Sequence, residues 1–475
     1  MRDKYLSKLP KGLIPYTLPK NWTWFYWSDI IKSYQQGMIR SNRELGEGNV
    51  YYLKMGDIDD KGGVDTTNLA KANATEKEIK EFSLAEGDFL INVRNSRELV
   101  GKTCVVRELD DKTILYNHML VRIDNGCSEM NFFINAFLNI PTSKKLLGRI
   151  KQGTTTVIAL YQRDLYHLPI ALPDNPTFNT IVSLYKSIDS KIELNNKINR
   201  ELEAMAKTLY DYWFVQFDFP NAEGKPYKSS GGKMVYNQEL KREIPEGWAV
   251  KTISKWIKKD KSGDWGKEEA EGNYQLEVSC IRGADLNGLN GNGELKAPTR
   301  FILEKNSHKL LENHDLIVEI SGGSPTQSTG RLAFITEETL ERFTTPIICS
   351  NFCKALTLKD ETYLFNFVYQ WNRLYDNGVL FGWEGKTSGI KNLLFESFVT
   401  NHKEVYPPSI LVQQFYDFVK PIHGKIQKNL MQNQHLTALR DWLLPMLMNG
   451  QVTVKEAEEK LSMAAEPSVD YKTKK

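Results

Sequence analysis

The stretch Asn179–Phe214, NTIVSLYKSIDSKIELNNKINRELEAMAKTLYDYWF, returns 234 positions later as Gln413–Met448, QQFYDFVKPIHGKIQKNLMQNQHLTALRDWLLPMLM. A single ungapped shift sets Pro173 on Pro407, Lys186 on Lys420, Ile188 on Ile422 and Lys191-Ile192 on Lys425-Ile426. It also sets Asn195 on Asn429, and Leu202, Ala204 and Leu209 on Leu436, Ala438 and Leu443. In the first copy Ile181, Leu184, Ile188, Ile198, Leu202, Met205, Leu209 and Tyr212 follow the period of an apolar heptad seam. Phe415, Phe418, Ile422, Leu436, Leu439, Leu443 and Met446 carry the same seam in the second. Lys191 and Asn195, and again Lys425 and Asn429, interrupt it with polar groups. A buried amide costs stability and fixes register, because it must find a partner. Its recurrence in aligned seams predicts two helices that pair with each other, with Asn195, Asn429, Lys191 and Lys425 holding the register. On this reading, Leu at both Asn positions preserves or raises stability. The alternative is that each helix packs only on its own globule.

A helix from about Asn179 to Phe217 is roughly 57 Å long at 1.5 Å per residue. Pro220 stops it, and Pro421 and Pro445 predict that the second helix starts late or kinks. Outward from the helices, LPKNW (Leu18–Trp22) returns as IPEGW (Ile244–Trp248), and EGDFLI (Glu86–Ile91) returns as NHDLIV (Asn313–Val318). Gly101 finds Gly330, and Gly153 finds Gly385, so the offset grows slowly, as small insertions in the second copy require. The β-branched runs Asp88–Val93, Lys102–Val106 and Leu115–Ile123 predict strands, and Phe132–Asn139 and Ser143–Lys151 predict helices. The fold class is therefore α+β: two similar domains, 1–172 and 244–406, each followed by a long helix, 173–219 and 407–450. The helices pair as an antiparallel coiled-coil spacer with pseudo-two-fold symmetry. Residues 220–243, rich in Gly, Ser and charge, form a linker, and 451–475 a flexible tail.

Hydrophobic residues make up 41% of the 475, enough for two cores, and no run of about 18 apolar residues marks a membrane span. The opening MRDKYLSKLPKG lacks the apolar segment of a secretory signal, and five cysteines build no disulfide framework, so the cytoplasm is expected. The net charge of +3 permits a nucleic-acid partner only through local clusters.

Catalytic signatures are missing. Gly385-Lys386-Thr387 ends like a phosphate loop, but Leu380 stands where that loop needs glycine. Cys349 and Cys353 have no second pair at zinc spacing. Tyr406-Pro407-Pro408-Ser409 lacks the polar first and aromatic last residues of a base-methylating tetrad. Pro173-Asp174 with Asp189-Ser190-Lys191 has the spacing of a metal-dependent nuclease, yet falls on a helix start and a helix interior. No catalytic residue, metal site or cofactor of this chain is expected.

The doubled order of these elements resembles the specificity subunit of type I restriction-modification systems over essentially the whole chain. The carriers are the LPKNW and IPEGW openings, Gly87-Asp88 with Gly101 and Asp315 with Gly330, and the turns Gly153-Thr154-Thr155 and Gly385-Lys386-Thr387. To these add the proline-led helices and DYWFVQFDFPN…GKPYKSSGGKMV between the halves. Asn21 and Asn313-His314 depart from the family's glycines. The resemblance implies two target-recognition domains, each reading half of a bipartite, asymmetric double-stranded DNA sequence. It implies as partners two modification subunits, which bind S-adenosylmethionine and methylate adenine, and two restriction subunits using ATP and Mg. A specificity-like subunit of another methylation-based phage-defence system is the alternative. Polar loop residues able to read base edges are then Arg40, Asn42, Arg43, Arg94, Asn95, Arg97 and Lys151 in the first domain. In the second they are Arg282, Ser324, Gln327, Arg331, Lys386 and Lys391.

Overall fold

The structure is a computed structural model describing residue 18 and residues 20–448, other than 60, 61, 65, 67, 108, 110, 154–156, 292, 294, 323–326 and 387–389. The tail 451–475 and Ser324 lie outside the described residues, as do Thr154, Thr155 and Thr387 of the two Gly-Thr turns. Among the described residues the chain divides into two compact units, one up to 192 and again from 434 onward, the other of 193–433. The boundary therefore runs through both long helices, not between a domain and its helix.

In the first unit the central sheet orders Ser33–Gln36, Leu120–Asp124, Phe89–Asn92 and Thr103–Val105, all antiparallel. Phe89–Asn92 is buried throughout because it lies inside the sheet with both faces covered. A second sheet orders Ala70–Ala72, Leu45–Leu53 and Ile114–Tyr116, the last pair parallel. The predicted single strand Leu115–Ile123 is thus two strands joined by a turn. Gln152–Gly153, Ile158–Ala159 and Arg94–Asn95 form a short ribbon. Trp22–Tyr26 pairs with Pro169–Pro173, sending Trp22 and Trp24 into the core with Phe133 and Phe137 of the helix Ser128–Asn139.

The second unit repeats this order element by element. Its sheet runs Ile257–Ser262, Cys353–Leu358, Asp315–Glu319 and Leu332–Phe334. Thr299–Leu303, Tyr274–Ile281 and Ile347–Cys349 give the second sheet, again with one parallel pair. Glu384–Lys386, Lys391–Leu393 and Ser321–Gly322 give the ribbon, and Ala249–Thr252 pairs with Lys403–Tyr406. The shared short motifs now have backbone reasons. Gly101 and Gly330 both adopt left-handed φ, +87° and +103°, which disfavours any side chain. The turn before the central strand needs the same conformation: Gly87 supplies it at φ +87°, and His314 adopts φ 68° in its place. The following carboxylates, Asp88 and Asp315, accept from the backbone N–H of Ala85 and Glu312, each at 2.9 Å.

The central helix spans Asn175–Tyr210, four residues earlier than expected, and ends in a wider π turn, Asp211–Val215. The distal helix is continuous over Ser409–Met448 and passes through Pro421 and Pro445 without starting late. Buried neighbours on both sides of each proline, Val419 and Ile422, Leu444 and Leu447, offset the missing hydrogen bond. In the first unit Ile181, Leu184 and Tyr185 pack in one core with Leu443, Leu444 and Leu447 of the distal helix. In the second unit Ala206, Tyr210 and Phe214 share a core with Phe415, Val419, Ile422 and Ile426. The helices pair and each also contributes to both cores, so neither packs only on its own globule.

The seam differs from the expected one past Ile188. The buried stripe continues through Asn195, Asn199, Ala206, Tyr210 and Phe214, while Met205, Tyr212 and Phe418 are exposed. Packing against a globule as well as a helix rotates the buried face toward the bulky aromatics. Lys191 and Lys425 are likewise exposed and stand outside the buried seam. A long ammonium side chain reaches water, whereas the short amides of Asn195 and Asn429 stay between the helices and find partners there. The segment expected as a linker is also structured: Met234–Asn237 pairs with Arg242–Pro245, and Phe219 stacks between Tyr227 and Trp248 at 4.7 and 5.1 Å. Aromatic burial outweighs the Gly and Ser content there.

Candidate nucleic-acid interface

In the first unit, hydrogen bonds bring four loops together. Val93 N–H donates to Met119 O at 2.9 Å, and Leu160 N–H donates to Val93 O at 2.8 Å. His118 N–H donates to Met38 O at 2.9 Å, which joins the loop carrying Arg40, Asn42 and Arg43 to the same face. Lys151 Nζ donates to Arg97 O at 3.0 Å. The ribbon registers Arg94 opposite Ala159 and Asn95 opposite Ile158. Asn95 Oδ1 is engaged by the Ser96 N–H at 2.7 Å. Arg94 and Arg97 are exposed and form no salt bridge among the described residues, and Asn42 and Arg43 are exposed on the neighbouring loop. Arg40 is different: it is held by Glu78 at 2.8 Å and by the Asn73 carbonyl.

This face is electrostatically crowded with positive charge. Burial and then Arg97 lower the pKa of Lys151, and burial and then Arg94 lower that of His118. Glu98 offsets part of the field; hydrogen bonds from its own backbone and Ser96, with Arg97 and Lys151 nearby, hold its carboxyl below the usual range. Cations that depress one another are poised for an external anion such as a phosphate. Two exposed residues of this face stand outside the polar set expected from sequence, Val157 and Tyr161, the latter with the Arg163 guanidinium 5.9 Å from its ring centre. Both follow the Gly-Thr turn within a few residues, the one signal that pointed to them.

The second unit places its candidates otherwise. Arg331 makes two bonds to Glu319, 2.9 and 2.7 Å, and Arg282 makes two to Asp285, 2.8 and 3.1 Å. Lys391 lies 3.3 Å from Glu384 and 5.0 Å from the Phe381 ring centre, and also donates to Gln327 O. Glu384 accepts from Thr329 N–H at 2.7 Å, so the ion pair is tied to the ribbon. Gln327 is exposed, and Lys386 is at the end of the outer strand Glu384–Lys386. Around them stand the exposed side chains of Phe352, Phe381, Ile390 and Leu394.

The residues with nuclease-like spacing and the cysteines have structural roles. Asp174 caps the central helix through Thr177 and Asn21, which lowers its pKa. Asp189, about 22 Å further along the helix, is enclosed by Arg107 and Arg440. Burial pushes the thiols of Cys280 and Cys353 up to about 12. Among the described residues no group of three or more His, Cys, Asp or Glu is placed to hold a metal ion. No helix among them is long and apolar enough to cross a membrane.

Residues 19–204 match the family described as the type I restriction modification DNA specificity domain. The chain is similar to the type I restriction enzyme MjaIX specificity subunit of Methanocaldococcus jannaschii, 24% identical over 81% of this chain and 82% of that one. It is also similar to the HindI specificity subunit of Haemophilus influenzae, 21% identical over 78% and 87%. In fold it resembles the crystal structure of a type I restriction-modification S subunit from M. genitalium, with a TM-score of 0.53, 14% identity, and coverage of 91% and 98%.

Proposed function

We propose that the chain is a specificity subunit of a type I restriction-modification system, like the relatives it is similar to, and that each of its units reads one half of a bipartite, asymmetric double-stranded DNA target. Two modification subunits, carrying S-adenosylmethionine, methylate adenine at the site this chain selects. Two restriction subunits, using ATP and Mg, act from the same site in the cytoplasm. The chain itself contributes recognition and no chemistry. The observation that supports this reading is the duplication: two units with the same sheet order hold equivalent ribbons that carry different side chains. A common scaffold with divergent readers suits a target whose halves differ.

The charge balance agrees with a division of labour. Residues 15–172 contain 20 basic and 19 acidic side chains, and 244–405 contain 19 and 22. Nonspecific affinity comes from neutralising phosphates, so most of it falls to the partner subunits, while this chain supplies discrimination. The paired helices serve as the ruler for the unspecified bases between half-sites.

The test is to co-express the chain with its modification subunits and map methylated adenines by methylation-sensitive sequencing. One bipartite motif is expected. Inserting a helical turn after Asn195 should lengthen its gap and leave both halves unchanged. Methyl transfer from labelled S-adenosylmethionine by the purified chain alone, or a single continuous motif, would overturn the proposal.

A further inference from the structure

The two ribbons can be superposed through their hydrogen bonds. Leu160 N–H donates to Val93 O in the first unit, and Leu393 N–H donates to Ile320 O in the second. Leu393 therefore matches Leu160, Ile390 matches Val157, and Leu394 matches Tyr161. The strand registers Asn95 opposite Ile158 and Gly322 opposite Lys391 set Arg94-Asn95 against Ser321-Gly322. Where the first unit carries long hydrogen-bonding side chains, the second carries short or apolar ones. Ser stands for Arg, Gly for Asn, and Leu for Tyr.

What remains exposed is apolar. Phe381, Phe352, Leu394 and Ile390 show 58, 49, 48 and 47% of their surface. All four adjoin the ribbon: Phe381 lies under Lys391, Leu394 N–H donates to Trp383 O, and Phe352 O accepts from Ile320 and Ser321. The nearby cations Arg331 and Lys391 are matched by Glu319 and Glu384. With these two cations matched, they offer less to phosphates or to guanine acceptors than the exposed Arg94 and Arg97 of the first unit. The one apolar group that base edges display in the major groove is the C5-methyl of thymine.

Resting on the DNA-recognition reading above, we propose that the second unit identifies its half-site through thymine methyl groups held against Phe381, Ile390 and Leu394. The first unit, with Arg94 and Arg97, reads hydrogen-bond acceptors instead. The specificity of the two halves then differs in kind as well as in sequence.

The experiment uses the complex of the full chain with its modification subunits and duplexes carrying the mapped target. Thymines of one half-site at a time are replaced by deoxyuridine, which removes only the methyl. In the second unit's half-site, binding should weaken about fourfold per methyl, the value of one buried carbon. The variant Phe381→Ala/Leu394→Ala should bind the natural target more weakly, and deoxyuridine should then have little further effect. Both side chains are exposed, and an unchanged response at the other half-site reports an intact complex. Equal affinity for thymine and deoxyuridine duplexes, or full deoxyuridine sensitivity in the variant, would overturn the proposal. Failure to find any bipartite target would instead overturn the DNA-recognition reading itself.

Discussion

Asp189→Asn should be the most damaging single change in the helix pair of the first unit. Asp189 is 3% exposed and accepts from Arg107 Nη2 at 2.5 Å and Arg440 Nη1 at 3.1 Å. Arg440 is itself buried, and its second carboxylate, Asp441, is half-exposed at 3.0 Å. Neutralising Asp189 removes the buried carboxylate that Arg107 and Arg440 share, and leaves Arg440 beside the outer carboxylate of Asp441. Removing one member of a buried pair costs about 3–5 kcal/mol. The remaining Asp441 interaction and the partial exposure of Arg107 bring the expectation to about 3 kcal/mol. For a unit of this size that is a fall of roughly 6–12 °C in Tm. Denaturation followed by hydrogen exchange in Phe89–Asn92 and Trp22–Tyr26 reads the first unit separately. Asp189→Asn/Arg440→Leu should recover part of the stability, since an apolar replacement removes the stranded charge. A loss under about 1 kcal/mol, or strictly additive behaviour of the two substitutions, would refute the reasoning.

Asn195 Nδ2 donates to Gln432 and Asn433, and Asn429 Nδ2 donates to Asn199, all at 2.8 Å. Replacing only Asn195 and Asn429 with Leu should therefore cost roughly 1–3 kcal/mol in urea denaturation, because acceptors are stranded, and not raise stability. Replacing Asn195, Asn199, Asn429 and Asn433 together should restore that stability while loosening register. His423 stacks on Phe365, lies 3.0 Å from the Tyr369 hydroxyl, and faces Glu203, whose own pKa burial raises. Burial pushes the pKa of His423 down to about 3, so below pH 6.5 the unfolded chain takes up a proton that the folded chain does not. Its contribution is full above pH 6.5 and fades as pH falls toward 3, by about 2 kcal/mol at pH 5; His423→Phe should flatten that slope in pH-dependent denaturation. Arg94→Ala and Arg97→Ala should relax only the first half-site, by about 1–3 kcal/mol for each bidentate pairing removed. An unchanged motif on methylation-sensitive sequencing would show that these loops do not reach bases.

The amino-acid sequence alone determined the duplication, because a sheet-and-helix core imposes the same apolar period and the same turn residues wherever it is built. Gly101 and Gly330 reveal it through backbone conformation, and Pro173 and Pro407 through the start of a helix. A further identical pair at the same shift, Asn199 and Asn433, completes the polar layer, in which Asn195 meets Asn433 and Asn429 meets Asn199. Only tertiary structure decided which face of each helix is enclosed, since Tyr210, Phe214 and Phe415 owe their burial to a globule remote in sequence. The candidate site divides in the same way. Arginine and lysine in loops were visible as possible readers, but whether each is free depends on a carboxylate brought from elsewhere. Glu78 comes to Arg40 and Glu319 to Arg331 across 38 and 12 positions, while among the described residues no carboxylate pairs with Arg94. Charge neutralisation is a matter of a few ångströms in space, and linear spacing does not report it. The apolar readers were hidden for the converse reason: Phe381 and Ile390 look like core residues until folding leaves them on the surface.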